Sequence, residues 1–563
     1  MRDDAKRIVA GPAHSADVRG YIALLVAVQL AIIAVVRPHG DFPINDDWAY
    51  GHSVQWLLGE HRIRLSNWIA MNLLPQTLAG GLVAVVFGFS FETLRHLTQA
   101  VAALTCIAGF FWFRAARLDP AQATVASIAV VAMPCWPVLA NSYMTDLYGL
   151  VFALSAATLF LRSLDRPLPR TLLAATLLAS IGVLERQVVI VVPFAFMVAW
   201  FWASRAWTVR TLVIGVAPLL AAFAAETCYQ TYLALGPGIP SAQQYAHARV
   251  LPMILKIIKG EEGLRFWAVL NLVSIAGYLG LFTVGWAAWW GMRGATRRAQ
   301  LAVLGAALVL AAIAIAFGWL PPYRQNQVID AAGIGPFTLY DGLTHPTAPL
   351  DRTPGAIWQI AGAAAACGVA ALLALLLVCV AHLFRAGRDA APDRVFMITV
   401  IGAYLGPFVV TDYIDRYLLF VLPFVFALWA RTWPANGRPP ARLQRGIALA
   451  WILVILATSM FATRDYFAWN RARWDAIRIA ESLGATPDML DAGFEYNGFK
   501  RFEDKPTMAA PGKSWWWVTD DRYVVAFSPV PGYEEIETIQ VQHWLPRSPG
   551  AIRLLRRKEP GSE

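Results

Sequence analysis

The sequence predicts an all-α polytopic membrane protein of about thirteen transmembrane helices with a small C-terminal α+β domain. Three observations carry this expectation. Of the 563 residues, 58% are hydrophobic and only 15% charged, well outside the balance of an average soluble domain. Apolar runs of roughly the length needed to cross a hydrocarbon core recur over residues 1–463, with arginines gathered in the turns between them. Beyond residue 464 the long apolar runs give way to charges, turn residues and short alternating stretches.

The first run, GYIALLVAVQLAIIAVV at 20–36, is followed by Arg37-Pro38 rather than a small-residue cleavage site, so it reads as a retained span and not a removed signal peptide. Residues 37–92 form a long first outer loop. Its apolar stretch 69–89 contains Asn72, Pro75, Gln76 and Gly80-Gly81. A crossing there would turn every later arginine loop to the wrong side, so an interfacial or re-entrant helix is expected. Further spans are expected near 94–113, 121–140, 148–161, 171–184, 188–203, 211–235, 267–290, 301–320, 357–383, 395–411, 417–430 and 446–463.

With the N-terminus in the cytoplasm, the inner loops hold Arg114/Arg117, Arg162/Arg166/Arg170, Arg205/Arg210, Arg293/Arg297/Arg298, Arg385/Arg388/Arg394 and Arg431/Arg438/Arg442/Arg445. The outer loops are longer and poorer in Lys and Arg, the asymmetry that sets orientation. This distribution also accounts for the net charge of +10 without nucleic acid, which is excluded as a partner. An odd number of spans puts the tail, 464–563, on the outer face as a separate domain, with YVVAF and IETIQVQHWL as strand candidates. Segments 236–266 and 321–356 are further outer loops, the usual place for a site built over a bundle. No sequence repeat of the kind that marks many transporters is evident. The cysteines at 106, 135, 228, 367 and 379 lie in apolar runs without metal-ligand or disulfide spacing and read as small buried apolar residues.

The residues that carry chemistry concentrate on the outer side. Asp46-Asp47 begin an Asp-Asp-x-x-Tyr motif ending at Tyr50, on the first turn of an expected interfacial helix. Adjacent like charges raise a proton affinity and suit a general base; the plainer reading is one helix cap beside one solvated acid. Asp146, in ANSYMTDLYG, is an acid at the outer end of the third span, close to hydrocarbon, where a carboxylate is costly. It can equally cap the next helix. Arg186 in GVLERQVV is placed to clamp a lipid phosphate, or to pair with Glu185 or snorkel. TDYIDRYLLFVLPF brings Asp412, Asp415, Arg416 and Tyr417 to the start of span twelve, with Asp415 read as an interfacial anchor and Arg416 as a phosphate ligand. Tyr323, Arg324 and His345 share one outer loop, and His247 and Arg249 another; the isolated histidines read as surface residues. Trp515-Trp516-Trp517 suits sugar stacking, headgroup contact or the core of a small domain.

In order and sidedness, the Asp-Asp-x-x-Tyr pair, the MTD acid Asp146, the ERQ arginine and the late DRY resemble the GT-C superfamily of membrane glycosyltransferases. Within it, the likeness is to bacterial relatives of the protein O-mannosyltransferases and of the lipid A aminoarabinose transferase, over residues 20–463 and most strongly over 41–165. The resemblance implies transfer of a sugar from a polyprenyl-phosphate donor to a glycan, lipid or protein acceptor at the outer face of a bacterial inner membrane. It implies Asp46 as catalytic base, with Asp47, in place of the family's Glu, or Asp146 orienting the acceptor. Arg186, with Arg324 or Arg416, would bind the donor phosphate, while Tyr50 and Gln76 support the acceptor or the loop. Some relatives carry a metal-binding Glu further along the first loop, where this chain has Gln76, so no cofactor is fixed and use of a divalent metal stays open.

Two other classes compete. A transporter or flippase of lipid-linked sugars places ionisable groups near the bilayer midplane on broken helices, whereas here the acids gather in outer loops. A non-catalytic scaffold would tolerate loss of Asp46 and Asp146. A GT-C polymerase or oligosaccharide transferase shares the fold and differs in donor size.

Overall fold

The computed structural model describes residues 13–204, 206–259, 261–292, 295–343, 355–386, 391–433, 441–503 and 517–558. Among them, nine helices are long and apolar enough to cross a bilayer: Val18–Val36, Phe91–Ala115, Asp146–Asp165, Val209–Leu235, Gly263–Trp290, Arg297–Ala316, Ala356–Leu383, Pro392–Val410 and Arg442–Ser482. The chain is thus a multi-pass, helical membrane protein. The other four expected spans are helical but short or interrupted. Proline is the cause in three of them: Pro120–Val131 stops ahead of Pro134 and resumes as Trp136–Leu139, while Gln187–Ile190 and Asp415–Val421 run as 3₁₀ turns before the α-helices Val191–Ala203 and Leu422–Thr432, which carry Pro193 and Pro423 in their first turns. A 3₁₀ turn rises about 2.0 Å per residue against about 1.5 Å in an α-helix, so 415–432 still covers about 30 Å. The fourth, Pro169–Glu185, has 17 residues.

The first outer loop folds as two short helices, Asp47–Glu60 and Leu74–Phe87. At 14 residues the second reaches about 21 Å, too short to span. Its Leu82, Val85 and Phe87 are exposed on the apolar surface of the bundle. Buried Arg95 pins the start of the loop by donating to the carbonyl oxygens of Pro38, Gly40 and Phe42 at 2.7, 2.9 and 2.8 Å. Segment 236–266 is not an open loop but carries the helix Ser241–Lys259. The 321–356 segment supplies a two-stranded hairpin, β1 (Ile329–Asp330) and β2 (Gly333–Ile334), and a turn of helix at Tyr340–Leu343.

The expected boundary at 463/464 falls inside a single 41-residue helix, Arg442–Ser482. No proline or glycine interrupts this helix near the boundary, so it leaves the bundle intact and becomes the support for the tail. It packs on Ala13–Val36, on Glu262–Trp290 and on the tail sheet. That sheet has β3 (Leu490–Asp491), β4 (Tyr523–Ala526), β5 (Tyr533–Gln540) and β6 (Ala551–Arg557) in the order β3-β4-β6-β5, with β3 parallel to β4 and the other pairs antiparallel. Side chains alternate across it: Val525, Ile552 and Leu554 join the main core, while Val524, Ala526 and Leu555 form a separate small cluster on the opposite face. The tail and bundle therefore share one core. Cys106, Cys135 and Cys379 are buried as expected, but Cys228 and Cys367 are exposed on the faces of their helices.

Candidate active site

Four charged side chains from four separate segments form one chain of alternating sign. Asp46 accepts a hydrogen bond from Arg416 Nη2 at 3.1 Å; Arg416 Nη1 reaches Asp146 Oδ2 at 3.0 Å; and Asp146 Oδ1 accepts from Arg186 Nη1 at 2.6 Å. The side-chain exposures run 13% for Asp46, 1% for Arg416, 6% for Asp146 and 8% for Arg186, so the chain is withdrawn from water but not sealed at its two ends. Arg186 also donates to Thr145 Oγ1 at 2.9 Å, and both guanidinium carbons lie over the ring of Tyr417, at 5.2 and 5.5 Å. Asp146, Arg186, Tyr404, Arg416, Tyr417, Leu419 and Phe420 line a small cleft.

Local structure explains each placement. Asp46 stands at the N-cap position of Asp47–Glu60 and Asp146 is the first residue of Asp146–Asp165, yet neither carboxylate caps its helix. Asp46 instead holds Arg416 and the indole Nε1–H of Trp68, the latter at 2.9 Å. The preceding Asn45 adopts φ +54°, a left-handed conformation that Asn tolerates better than most residues, and this turns the acid inward. Burial pushes the Asp46 carboxyl up; the Arg416 charge and the Trp68 hydrogen bond pull it down, while Asp146 and Glu495 push it up.

The two arginines come from matching stretches. Glu185-Arg186 and Asp415-Arg416 are each followed, after six residues, by Pro-Phe at 193–194 and 423–424. Each stretch opens as a 3₁₀ turn and continues as an α-helix. In each, the fully buried acid fastens the backbone of a neighbouring segment: Glu185 accepts the Gln76 N–H at 2.9 Å, and Asp415 accepts the N–H groups of Val328 at 3.0 Å and Ile329 at 2.7 Å. The arginine that follows is left to reach Asp146. Only the acid, arginine and Pro-Phe positions of this short repeat match. Glu185 therefore does not pair with Arg186, and Asp415 is a loop fastener rather than an interfacial anchor.

Four other expected site residues stand outside the chain. Asp47 is buried beside Asp46 but faces the other way, accepting the Ile44 N–H at 3.2 Å under the influence of Arg95; burial pushes its carboxyl up to about 7. Tyr50 is buried within electrostatic range of Asp46, Arg416 and Asp146. Gln76 is part of the scaffold: its Nε2 donates to the Tyr143 carbonyl at 2.7 Å and its own carbonyl accepts from Tyr143 OH at 2.7 Å. Arg324 is exposed, with its carbonyl taken by Ser274 Oγ, and it is not brought to Arg186 and Arg416. Arg249 pairs with Asp412 at 3.2 Å. His345, Trp515, Trp516 and the side chain of His247 lie outside the described residues. Trp517 packs against Trp48, Trp68, Phe494 and Phe502, with ring centroids 5.2–6.0 Å apart, and so belongs to the core.

The donor set does not suit a divalent metal. Among the described residues no three His, Cys, Asp or Glu side chains stand together, and the two acids nearest each other in the chain are already bridged by a guanidinium. Trp68, Tyr404, Glu495 and Arg473 were invisible as site residues in the sequence. Trp68 carries no motif, Tyr404 lies within an apolar run, and the last two lie in the tail.

Fold and site together define a polytopic helical membrane protein with a buried carboxylate–guanidinium chain at one end of its bundle. No protein-family model and no curated protein matches the chain. Among solved structures it is similar to the oligosaccharyltransferase of Archaeoglobus fulgidus in the apo form, at 11% identity and a TM-score of 0.41 over 80% of this chain; it spans 56% of that protein's length. It is also similar to ArnT from Cupriavidus metallidurans bound to undecaprenyl phosphate, at 14% identity and a TM-score of 0.37, covering 95% of this chain and 98% of that one. A third is AglB of Archaeoglobus fulgidus in complex with an inhibitory peptide and a dolichol-phosphate, at 12% identity and a TM-score of 0.37 over 81% and 58% of the two chains.

Proposed function

We propose that this protein is a membrane glycosyltransferase that moves a sugar from a polyprenyl-phosphate-linked donor to a glycan, lipid or protein acceptor. In this reading the N-terminus is cytoplasmic in a bacterial inner membrane, and the Asp46 face and the tail are periplasmic. One observation carries the reading: the continuous chain Asp46–Arg416–Asp146–Arg186, held at helix ends beside a cleft. A transporter reading expects its charges along the midplane, and these stand at one end of the bundle.

The chemistry follows from the order of charges. The acceptor hydroxyl attacks the anomeric carbon, its oxygen forms the new C–O bond, and its proton passes to Asp46, the more exposed of the two acids. The bond from the anomeric carbon to the phosphate oxygen breaks with inversion, and its electron pair leaves on the polyprenyl phosphate. Arg186 and Arg416 balance that growing charge. Arg416 couples the two events: a proton arriving on Asp46 cancels the charge that Nη2 balances, which leaves the guanidinium more positive toward the phosphate. Asp146 holds both arginines in place, and its own carboxylate is occupied on each oxygen.

The test compares envelope glycans from cells carrying the wild-type chain and Asp46→Asn at equal membrane abundance. A glycan that loses one sugar in the variant supports the proposal, and unchanged glycans overturn it.

A further inference from the structure

A buried acid of the tail is bonded to the residue that precedes Asp46. Glu495, in the tail helix Phe494–Arg501, is fully buried and accepts the Asn45 backbone N–H at 3.2 Å. Its other oxygen accepts from Arg473 Nη1 at 2.7 Å and Thr338 Oγ1 at 2.6 Å, so the carboxylate is fixed from two further segments. Arg473 is itself anchored, donating through Nε to the Ala492 carbonyl at 2.8 Å. The same tail helix lies on Asp47–Glu60 with no slack, because a Cβ at Gly498 would stand 2.6 Å from the Trp48 ring. Trp48 packs in turn on Trp68, the indole that holds Asp46. Ser66 bonds the Glu503 carboxylate, and His52 Nε2 lies 3.0 Å from the Phe499 carbonyl. Residues on both sides of Asp46 are thus fastened to 494–503.

We propose that Glu495 is a positioning residue for Asp46: through the Asn45 N–H it holds the left-handed turn that aims the Asp46 carboxylate at Arg416 and Trp68. Calling Asp46 the base rests on the transferase reading, but the positioning itself is testable without it. Glu495 also bears on Asp46 as a charge. The groups facing Asp46 are Arg416, Asp146, Asp47, Tyr50, Tyr417, Tyr466 and Glu495, and Glu495 is among those that raise its proton affinity. Losing the charge alone should lower that affinity, whereas losing the Asn45 bond at equal charge should turn Asp46 from Arg416 and raise it.

The experiment labels the purified protein with dicyclohexylcarbodiimide, which modifies protonated, sheltered carboxyls, across a pH series, and reads Asp46 separately from Asp47 by peptide fragmentation. In Glu495→Gln, which keeps an acceptor for Asn45, the midpoint of Asp46 labelling is expected to move to lower pH by roughly half a unit or more, the scale of a partly screened charge pair. Because this variant leaves Arg473 unpaired, Glu495→Gln/Arg473→Gln, which keeps the acceptor, is measured beside Glu495→Met/Arg473→Met, which removes it; the two pairs carry the same charge, so a midpoint higher by roughly half a unit or more in the Met pair reports the turn released and Asp46 parted from Arg416 and Trp68. Equal midpoints in the two charge-matched pairs overturn the proposal. A shifted midpoint together with envelope glycans insensitive to Asp46→Asn sustains the positioning role and sinks the transferase reading instead.

Discussion

The protein contains two buried carboxylate–guanidinium assemblies near one another, and they differ in how they are closed. Glu495 and Arg473 show no exposed side-chain surface, and both oxygens of the acid are used within the protein. The Asp46–Arg416–Asp146–Arg186 chain ends at Asp46 and Arg186, the two members with most exposure, and runs along a cleft. A pair sealed on all sides adds little net stability, because the desolvation of two charges offsets their attraction, yet removing one partner leaves a buried charge uncompensated. An open chain keeps the same sensitivity at its centre while its ends remain free to meet a ligand. Closure thus separates the sealed pair from the chain to which the proposed chemistry is assigned.

The largest effect should come from the open end. Asp46→Asn removes the proton acceptor without changing shape, and transfer should fall about a hundred- to ten-thousand-fold while the melting midpoint stays near that of wild type. Since burial raises the Asp46 proton affinity and the base must be ionised, the wild-type rate should decline on acidification with a midpoint above that of an ordinary aspartate. A rate flat through that range would remove Asp46 from the role of base.

Substituting one arginine in each assembly breaks the comparison most directly. Arg473→Met strands Glu495 and should cost about 3–5 kcal/mol of stability. Arg186→Met leaves Asp146 still held by Arg416, so its stability cost should be smaller, while donor binding and transfer fall about tenfold or more through loss of a charge-assisted contact. Thermal unfolding beside a transfer assay reads both, and equal stability losses would show that the two assemblies are of one kind. A smaller effect is expected from Trp68→Phe, which keeps the ring packing and deletes the 2.9 Å bond to Asp46. A hydrogen bond to a charged group contributes about 1.5–3 kcal/mol to stability, so melting should drop by a few degrees, while transfer falls about tenfold or less because Arg416 still holds the carboxylate.

How much of this was written legibly in the sequence depends on the length scale of each feature. The multi-pass helical class follows from apolar runs, which are local, and all thirteen expected segments are helical. The interruptions at 187–190 and 415–421 are prolines acting on the turns before them, also local, though their match to each other rests on four scattered positions. Asp146 is marked by the cost of a carboxylate near hydrocarbon, Asp46 by its acidic neighbour, and Arg186 and Arg416 by guanidinium groups at the outer interface, and the fold brings the four together. Arg324 carried no such mark beyond its loop, and it stays outside. Glu495 and Arg473 were unreadable because their meaning lies in contacts 450 and 135 residues away in the chain, to Asn45 and Thr338. The helix Arg442–Ser482 runs through 463/464 for a related reason: hydropathy changes at 464, but the helix does not.

Asp46 and Asp47 provide the finest test, since they are adjacent and chemically identical, and only their orientation assigns them different work. Asp47 faces Ile44 and the neighbourhood of Arg95, away from the arginine chain, and burial pushes it up to about 7. Below about pH 4 it is protonated in both folded and unfolded chains, so Asp47→Asn and wild type should melt alike. Between about pH 4 and 7 the unfolded chain ionises while the folded one keeps its proton, so wild-type stability falls as pH rises, and the Asn variant escapes that loss. The variant should therefore melt a few degrees higher than wild type at pH 8 and no differently at pH 4, with transfer within about threefold of wild type. If Asp47→Asn instead abolishes transfer as Asp46→Asn does, the two acids act as a pair and the orientation argument fails.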